Sequence, residues 1–137
     1  MDDLKYDLRI YVLLNSVNPL RVYIHEEGLA RFATEPYKKP TARNMDNLFM
    51  HLTNYAINKL SSAYQAGDEE SSGDEESGHK RSLKAIMNIL QACGADKEKL
   101  MQDIKDIIVK TMATAQPTLA HLYRSCQPED LDNSMCF

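Results

Sequence analysis

The sequence lacks a long hydrophobic run, and this absence argues against one class of protein. Its apolar runs cover only a few residues, whereas a transmembrane helix needs about 20 consecutive apolar residues. A basic N-terminal stretch is also missing, because Asp2 and Asp3 stand where a secretory signal would carry cations. We therefore expect a cytoplasmic protein without a membrane span.

Cysteine is scarce as well, with three residues in the chain: Cys93, Cys126 and Cys136. An odd number at such long spacings fits neither a disulfide framework nor a zinc site. We expect reduced thiols that pack as small apolar side chains rather than react. His51 has no second ligand spaced nearby, so we predict no metal site in this chain.

Positive charge is absent from one stretch, because residues 64 to 79 hold six acids and no Lys or Arg. The whole chain has a net charge of -4, but the remainder holds 14 acids against 16 bases and is therefore mildly basic. A mildly basic folded part weakly favours anionic ligands. The six acids are Asp68, Glu69, Glu70, Asp74, Glu75 and Glu76.

The acidic stretch contains a short repeat, since the sequence Gly-Asp-Glu-Glu-Ser at 67–71 recurs at 73–77. It has too little apolar surface to order itself, so we predict a disordered insert over residues 65–78. The simplest interpretation is a solvated linker, because blocks of like charge repel one another. The alternative is a phosphorylation site at Ser71 and Ser72, each of which has an acid three positions on.

The N-terminal third is predicted to be β-structure. Residues 4–16 and 21–25 should form a hairpin around the turn signal Ser16-Val17-Asn18-Pro19. We expect Gly28 to break the second strand and a third short strand to cover residues 29–33. Pro36 and Pro40 then predict a loop, and residues 45–59 have no clean period.

The first strand carries charges on one face. Lys5, Asp7 and Arg9 occupy alternate positions, and alternate residues of a strand share a face. Burying such charges is costly unless they are paired or meet a charged ligand. The pattern indicates a sheet that holds phosphate or carboxylate groups.

Helices are predicted in the C-terminal half, from residue 81 to residue 125. Apolar residues recur at helical spacing from Ser82 to Cys93, and Gly94 is a natural helix terminator. A longer helix should begin near Asp96 and be kinked by Pro117. We expect its apolar stripe to pack in a core made of Leu8, Ile10, Val12, Leu14, Ile24, Leu90, Ile104, Ile108 and Met112.

Three blocks of residues stand out: Tyr6-Asp7-Leu8-Arg9-Ile10-Tyr11-Val12-Leu13, Glu26-Glu27-Gly28-Leu29-Ala30-Arg31-Phe32-Ala33-Thr34 and His51-Leu52-Thr53-Asn54-Tyr55-Ala56-Ile57-Asn58-Lys59. In this order they resemble the tubulin tyrosine ligase-like family, and its polyglutamylase members most. The final Asn133-Ser134-Met135-Cys136-Phe137 is also similar. The resemblance implies an α+β fold, namely part of an ATP-grasp module, with residues 1–137 as a fragment of the ligase domain.

The resemblance also implies an activity. Such ligases use ATP to phosphorylate a carboxylate, and an amine then attacks the acyl phosphate. The acceptor would be a glutamate in the acidic tail of tubulin, and the incoming amino acid would be free glutamate. The expected partners are tubulin or microtubules, without nucleic acid or membrane. The expected location is the cytoskeleton, including the cilium and basal body.

Site residues follow from the same resemblance. Arg9 and Arg31 are similar to catalytic arginines that hold the phosphate and the carboxylates being joined. Lys5, Asp7, Thr53 and Asn54 would bind ATP, and Arg31, Tyr55 and Lys80 would bind the amino acid. The magnesium ligands of the family would lie outside these residues, so we expect the 137 residues alone not to catalyse ligation.

Each assignment has a structural alternative. Lys5 could be an edge-strand lysine that blocks pairing. Arg9 and Arg31 could pair with Glu26, Glu27 or Asp7, and Thr53 and Asn54 could be turn formers. At the level of the protein, the alternatives are a glycylase or tyrosine ligase of the same family, a non-catalytic tubulin-binding module, and a truncated product without independent function.

Overall fold

The computed structural model of the chain describes residues 3–66 and 78–127. The predicted acidic insert at residues 65–78 lies outside the described residues, apart from Gln65, Ala66 and Gly78. The proposed phosphorylation sites Ser71 and Ser72 and the tail from residue 128 onward also lie outside them.

The fold is α+β, with an antiparallel three-stranded sheet in the order β1-β2-β3. Strand β1 covers Leu4–Val17, β2 covers Leu20–Pro36 and β3 covers Lys80–Ser82. A tight turn with a cis Asn18-Pro19 peptide joins β1 to β2. Two single-turn helices, α1 at Leu48–His51 and α2 at Tyr55–Asn58, precede β3, and helices α3 at Leu83–Ala92 and α4 at Lys97–Cys126 follow it.

The chain divides into two compact units. The first comprises Met1–Ile10 and Glu27–Cys93, and the second comprises Tyr11–Glu26 and Gly94–Phe137. In the first unit, Ala30, Phe32 and Ile86 form a buried cluster against which Leu8 and Leu90 pack. In the second unit, the Gln116 side chain donates a hydrogen bond to the Val17 carbonyl at 2.9 Å.

The expected break at Gly28 is wrong, because β2 is one continuous strand of 17 residues. A Cβ atom on Gly28 would lie 2.7 Å from the Arg9 carbonyl oxygen and 3.0 Å from Leu83 Cδ2. The glycine therefore allows β1 and α3 to approach the strand closely, and it does so without ending the strand.

The predicted helix start at residue 81 is wrong, because Lys80 and Arg81 lie in β3. Helix α3 begins after Ser82, whose hydroxyl accepts a hydrogen bond from the Ala85 amide at 3.1 Å. This contact is an N-cap that satisfies one of the free amides of the first turn. The predicted terminator is confirmed, since Gly94 follows α3 with a φ of 89°.

The predicted core is largely wrong. Leu8 and Leu90 border the buried cluster, whereas the other predicted members are only half-buried: Ile10, Val12, Leu14, Ile24, Ile104, Ile108 and Met112. Helix α4 has no buried residue among those described. Its periodicity correctly predicted a helix, but periodicity does not show whether a surface covers the apolar stripe. The fully buried apolar side chains come mainly from β2 and α3.

Two further expectations concern the second half of the chain. Cys93 and Cys126 are free thiols, but both are exposed, so they do not pack as small apolar side chains. Helix α4 continues through Pro117, and a kink there stays a prediction. Among the described residues, no helix is both long enough and apolar enough to cross a membrane.

Candidate functional site: a cation-lined cavity

The two faces of β2 have different roles in the first unit. Ala30 belongs to the buried cluster with Ile86, whereas Leu29 and Arg31 line a cavity of about 300 Å³, and the large ring of Phe32 contributes to both. This division follows from the period of two of a strand. The described residues that line the cavity are Arg9, Leu29, Arg31, Phe32, Thr53, Tyr55, Asn58, Tyr64, Ala66, His79 and Lys80.

Three cations and no acid are among the described residues that line this cavity: Arg9, Arg31 and Lys80. Arg31 and Lys80 are directly opposite each other in the antiparallel pairing of β2 with β3. Directly opposed like charges destabilise a sheet. Asp7 offsets part of this repulsion by pairing with Arg31, and an anion in the cavity would offset more of it, so the electrostatics of the cavity favour an anionic ligand.

Asp7 holds Arg31 in place from β1. The Arg31 Nε atom donates to one carboxylate oxygen at 3.1 Å, and Nη2 donates to the other, so the pair is bidentate. Partial burial by itself raises the pKa of Asp7. The hydrogen bond and charge of Arg31, a hydrogen bond with Thr53 and the charge of Arg9 outweigh the burial, and the pKa lies below its ordinary value.

Thr53 and Tyr55 reach the cavity from the segment around α2. Thr53 is buried and its side chain helps to lower the pKa of Asp7, whereas Tyr55 is exposed. Buried Asn58 bonds both to Thr34 in β2 and to the backbone of this segment. The sequence therefore brings a polar pair to the cavity through a short turn that is anchored to the sheet.

Tyr64 and His79 form an aromatic wall. Their rings stack with centroids 5.6 Å apart, and Tyr64 meets Tyr55 edge-on at 5.9 Å. The His79 amide donates to the Gln65 carbonyl at 3.1 Å, and the Gln65 amide donates to His79 Nδ1 at 3.0 Å. The two ends of the described chain that flank residues 67–77 are thus held together beside the cavity.

The structure brings five of the predicted site residues together: Arg9, Arg31, Thr53, Tyr55 and Lys80 all line the cavity. The other three are not among its described lining residues. Asp7 pairs with the Arg31 side chain. Lys5 donates a hydrogen bond to the His51 carbonyl at 2.6 Å. Asn54 is an exposed residue at the start of α2. Lys5 lines a separate, open groove with Tyr6 and Tyr37. Their roles as ATP contacts stay predictions.

Sequence reasoning missed Asn58, Tyr64 and His79. Asn58 lies inside one of the three blocks that resemble the family, but the sequence did not indicate that its side chain would be buried beside the cavity. Nothing at the level of residue spacing indicated Tyr64 or His79, because their proximity depends on the pairing of Gln65 with His79.

Comparison with known proteins defines the class. A model of the Tubulin-tyrosine ligase family matches residues 1–137, and the chain belongs to this family.

The similar curated proteins are named as polyglutamylases. The chain is 48% identical over 137 residues to the probable beta-tubulin polyglutamylase of Tetrahymena thermophila and 44% identical over 137 residues to human tubulin polyglutamylase TTLL6. It is 39% identical over 139 residues to tubulin polyglutamylase TTLL7 of Xenopus tropicalis. The matches cover 100% of this chain but only 11%, 15% and 15% of these three relatives, respectively.

Proposed function

We propose that this chain is part of an ATP-dependent ligase that adds glutamate to glutamate side chains in tubulin tails. The observation that carries the proposal is the cavity in which Arg9, Arg31 and Lys80 converge without an acid among the described lining residues. The names of the similar relatives supply the amino acid and the target. The sheet and helices would be part of an ATP-grasp module.

The proposed reaction requires fixed positive charge. An acceptor carboxylate oxygen attacks the γ-phosphorus of ATP, and ADP leaves. The amine of the incoming glutamate then attacks the acyl carbon, phosphate leaves, and an amide bond forms as the nitrogen loses a proton. Negative charge gathers on phosphoryl and carboxylate oxygens in both steps, and pre-positioned cations stabilise it.

The residues of the cavity have distinct proposed roles. Arg9 and Arg31 would hold the transferred phosphate and the carboxylates, because a planar guanidinium binds either anion with two parallel hydrogen bonds. Lys80 and Tyr55 would bind the incoming amino acid, and Thr53 would lie near the nucleotide. Asp7 would keep Arg31 oriented before the substrates arrive, which lowers the cost of ordering the side chain on binding.

No carboxylate is among the described residues that line the cavity, so the cavity offers no ligand of the kind that magnesium prefers. The described residues contain no group of three or more His, Cys, Asp or Glu side chains that could hold a metal ion. Magnesium usually binds through carboxylates together with substrate phosphates. No proposed step of this chain therefore depends on the ion, and the expected magnesium ligands stay a prediction about residues elsewhere in the protein.

The proposed setting follows from the substrate. A ligase of tubulin tails would act on tubulin or microtubules, and therefore at the cytoskeleton, including cilia and basal bodies. The chain alone, incubated with ATP, glutamate and tubulin, should not glutamylate tubulin.

Binding by matched charge variants tests the proposal. Titration calorimetry should show that the chain binds ATP, and separately L-glutamate, and that Arg9→Gln and Lys80→Gln weaken binding of at least one of them about tenfold. Arg43→Gln is the control, because Arg43 is exposed and is not among the cavity-lining residues. Equal losses in all three variants would indicate nonspecific attraction and contradict the proposal.

The same titrations distinguish the ligase from a non-catalytic tubulin-binding module. In the ligase, raised salt should weaken ATP binding only partly, because a cavity screens less than an open surface does. A chain that binds an acidic tubulin-tail peptide, loses this binding in salt and ignores ATP and glutamate would overturn the ligase assignment in favour of the module.

A further inference from the structure

Among the described residues of the first unit, Asn58 is the most completely hydrogen-bonded buried polar side chain, and no part of the proposed reaction uses it. It is 1% exposed. Its Oδ1 atom accepts from the Thr34 amide at 3.1 Å and from the Thr34 hydroxyl at 3.0 Å. Its Nδ2 atom donates to the carbonyls of Leu52 at 2.8 Å and Asn54 at 3.1 Å. Both amide hydrogens are therefore engaged, and neither is left for a ligand.

These bonds connect β2 to the turn that carries Thr53 and Tyr55. The turn has little stability of its own, because α2 has only four residues and the Asn54 side chain makes no capping bond. Isolated helices of this length are unstable in water. The position of Thr53 and Tyr55 at the cavity must therefore come from tertiary contacts, and Asn58 supplies two of them, both from Thr34 in β2.

The turn held by Asn58 is also connected to Arg31, through Asp7. The Thr53 side chain helps to lower the pKa of Asp7, and Asp7 holds Arg31 through two hydrogen bonds. Hydrogen bonds thus join Thr34 to Asn58 and Asn58 to the backbone of the turn, and the Thr53 side chain in that turn influences the Asp7–Arg31 pair. Displacement of the turn would loosen a cation at the cavity without removing any charge.

We propose that Asn58 is a positioning residue, which holds the Thr53–Tyr55 turn against the sheet and thereby sets the anion affinity of the cavity. This inference rests on the proposed function, because it takes the cavity to be an anion-binding site. Asn58 acts through Thr53 and Asp7, since both of its donors already bond to backbone carbonyls.

Asn44 provides a matched control. Its Oδ1 atom also accepts from a threonine amide and hydroxyl, those of Thr41 at 2.7 and 3.1 Å, and its Nδ2 atom also donates to a carbonyl, that of Lys39 at 3.1 Å. Asn44 is not among the residues that line the cavity. Asn44→Ala therefore removes a similar network at a place where the proposal expects no effect on binding.

The first measurement is ATP affinity, by calorimetry of the folded 137-residue chain. Asn58→Ala should weaken binding about tenfold, whereas Asn44→Ala should change it less than about twofold. In a Thr53→Val background, Asn58→Ala should cause no further loss, because the two residues act in series. Wild-type affinity in Asn58→Ala, or losses that multiply in the double variant, would overturn the proposal.

Amide hydrogen exchange without ligand gives a second, independent readout. The amides of Ile57, Asn58 and Lys59 bond to the carbonyls of Asn54 and Tyr55 within the anchored turn. Asn58→Ala should speed their exchange and leave the capped Ala85 amide of α3 unchanged. Unchanged exchange at residues 57–59 would overturn the positioning role even if affinity fell.

Two controls keep the outcomes separate. If Asn58→Ala does not fold, Thr34→Val is the alternative, because it removes only the hydroxyl bond to Asn58. It should also weaken ATP binding, and unchanged binding would contradict the proposal. If the wild-type chain binds neither ATP nor L-glutamate, the proposed function fails, and the exchange rates at residues 57–59 still decide whether Asn58 anchors the turn.

Discussion

Asp7 and Arg31 illustrate how one contact can have both a structural and a functional role. Sequence reasoning left open whether Arg31 pairs with an acid or binds a substrate anion. The structure shows the pair, in which the Arg31 side chain is 24% exposed and that of Asp7 is 37% exposed. The arginine therefore keeps a surface toward the cavity while the carboxylate fixes its orientation.

The lowered pKa of Asp7 predicts how stability depends on pH. A carboxyl with a pKa below its unfolded value of about 3.9 contributes stability above that pH, and this contribution is lost as the pH falls through the folded value. We expect Asp7→Asn to lower the free energy of unfolding at pH 7 by about 1 kcal/mol or less, because the pair is partly exposed. Urea unfolding of both proteins at several pH values measures the difference.

The difference between wild type and Asp7→Asn should be full at neutral pH and shrink below about pH 4. Asp46→Asn is the control, because Asp46 is exposed. A difference that stays constant down to pH 2 would show that the charge of Asp7 does not stabilise the fold.

At the scale of the elements, β2 and β3 depart most from expectation. Residues 20–36 form one strand where two were predicted, and Lys80 lies in a strand where a helix start was predicted. Glycine is unfavourable in strands, which predicted a break at Gly28. A lysine just before an apolar helical pattern is usually assigned to that helix, which predicted a helix start near Lys80. Tertiary contacts override both tendencies. The Arg9 backbone lies close to Gly28, and Lys80 pairs with Arg31 in the sheet.

Gly28→Ala tests the close approach at β2. The new Cβ would lie 2.7 Å from a backbone oxygen of Arg9, which cannot rotate away as a side chain would. We expect a loss of about 1–3 kcal/mol in the free energy of unfolding, as is typical of overpacking. Displacement of Arg9 should also weaken ATP binding.

Glu26→Ala is the matched control in the same strand, because Glu26 is exposed. It should change the free energy of unfolding by no more than about 0.5 kcal/mol. If Gly28→Ala were as mild as this control, the contact between Gly28 and Arg9 would not restrict the residue at position 28.

At the scale of the whole molecule, burial is concentrated in the first unit. Ile86 is fully buried, with 0% exposure, whereas Ile107 of α4 is 65% exposed. The two isoleucines lie on helices that both show an apolar period, so the sequence pattern does not distinguish them. The difference arises because β2 covers the apolar face of α3, and no described element covers Ile107.

The two isoleucines make a paired prediction. Ile86→Ala should lower the free energy of unfolding by about 2–5 kcal/mol, because it leaves a cavity in a packed cluster. Ile107→Ala should change it by no more than about 0.5 kcal/mol. Thermal or urea unfolding of the isolated chain measures both, and a large loss in Ile107→Ala would contradict the exposure of α4.

The sequence by itself determined the family, the α+β class, the two long helices α3 and α4 and the charged residues of the cavity. These features depend on local order: three motif blocks, alternation in strands and helical spacing. Only the tertiary structure decided which of the cations share one cavity, why Gly28 stays within a strand, and that Asn58 anchors the turn. These features depend on contacts between residues far apart in the chain, such as Arg31 with Lys80, and residue spacing along a single chain does not encode such distances.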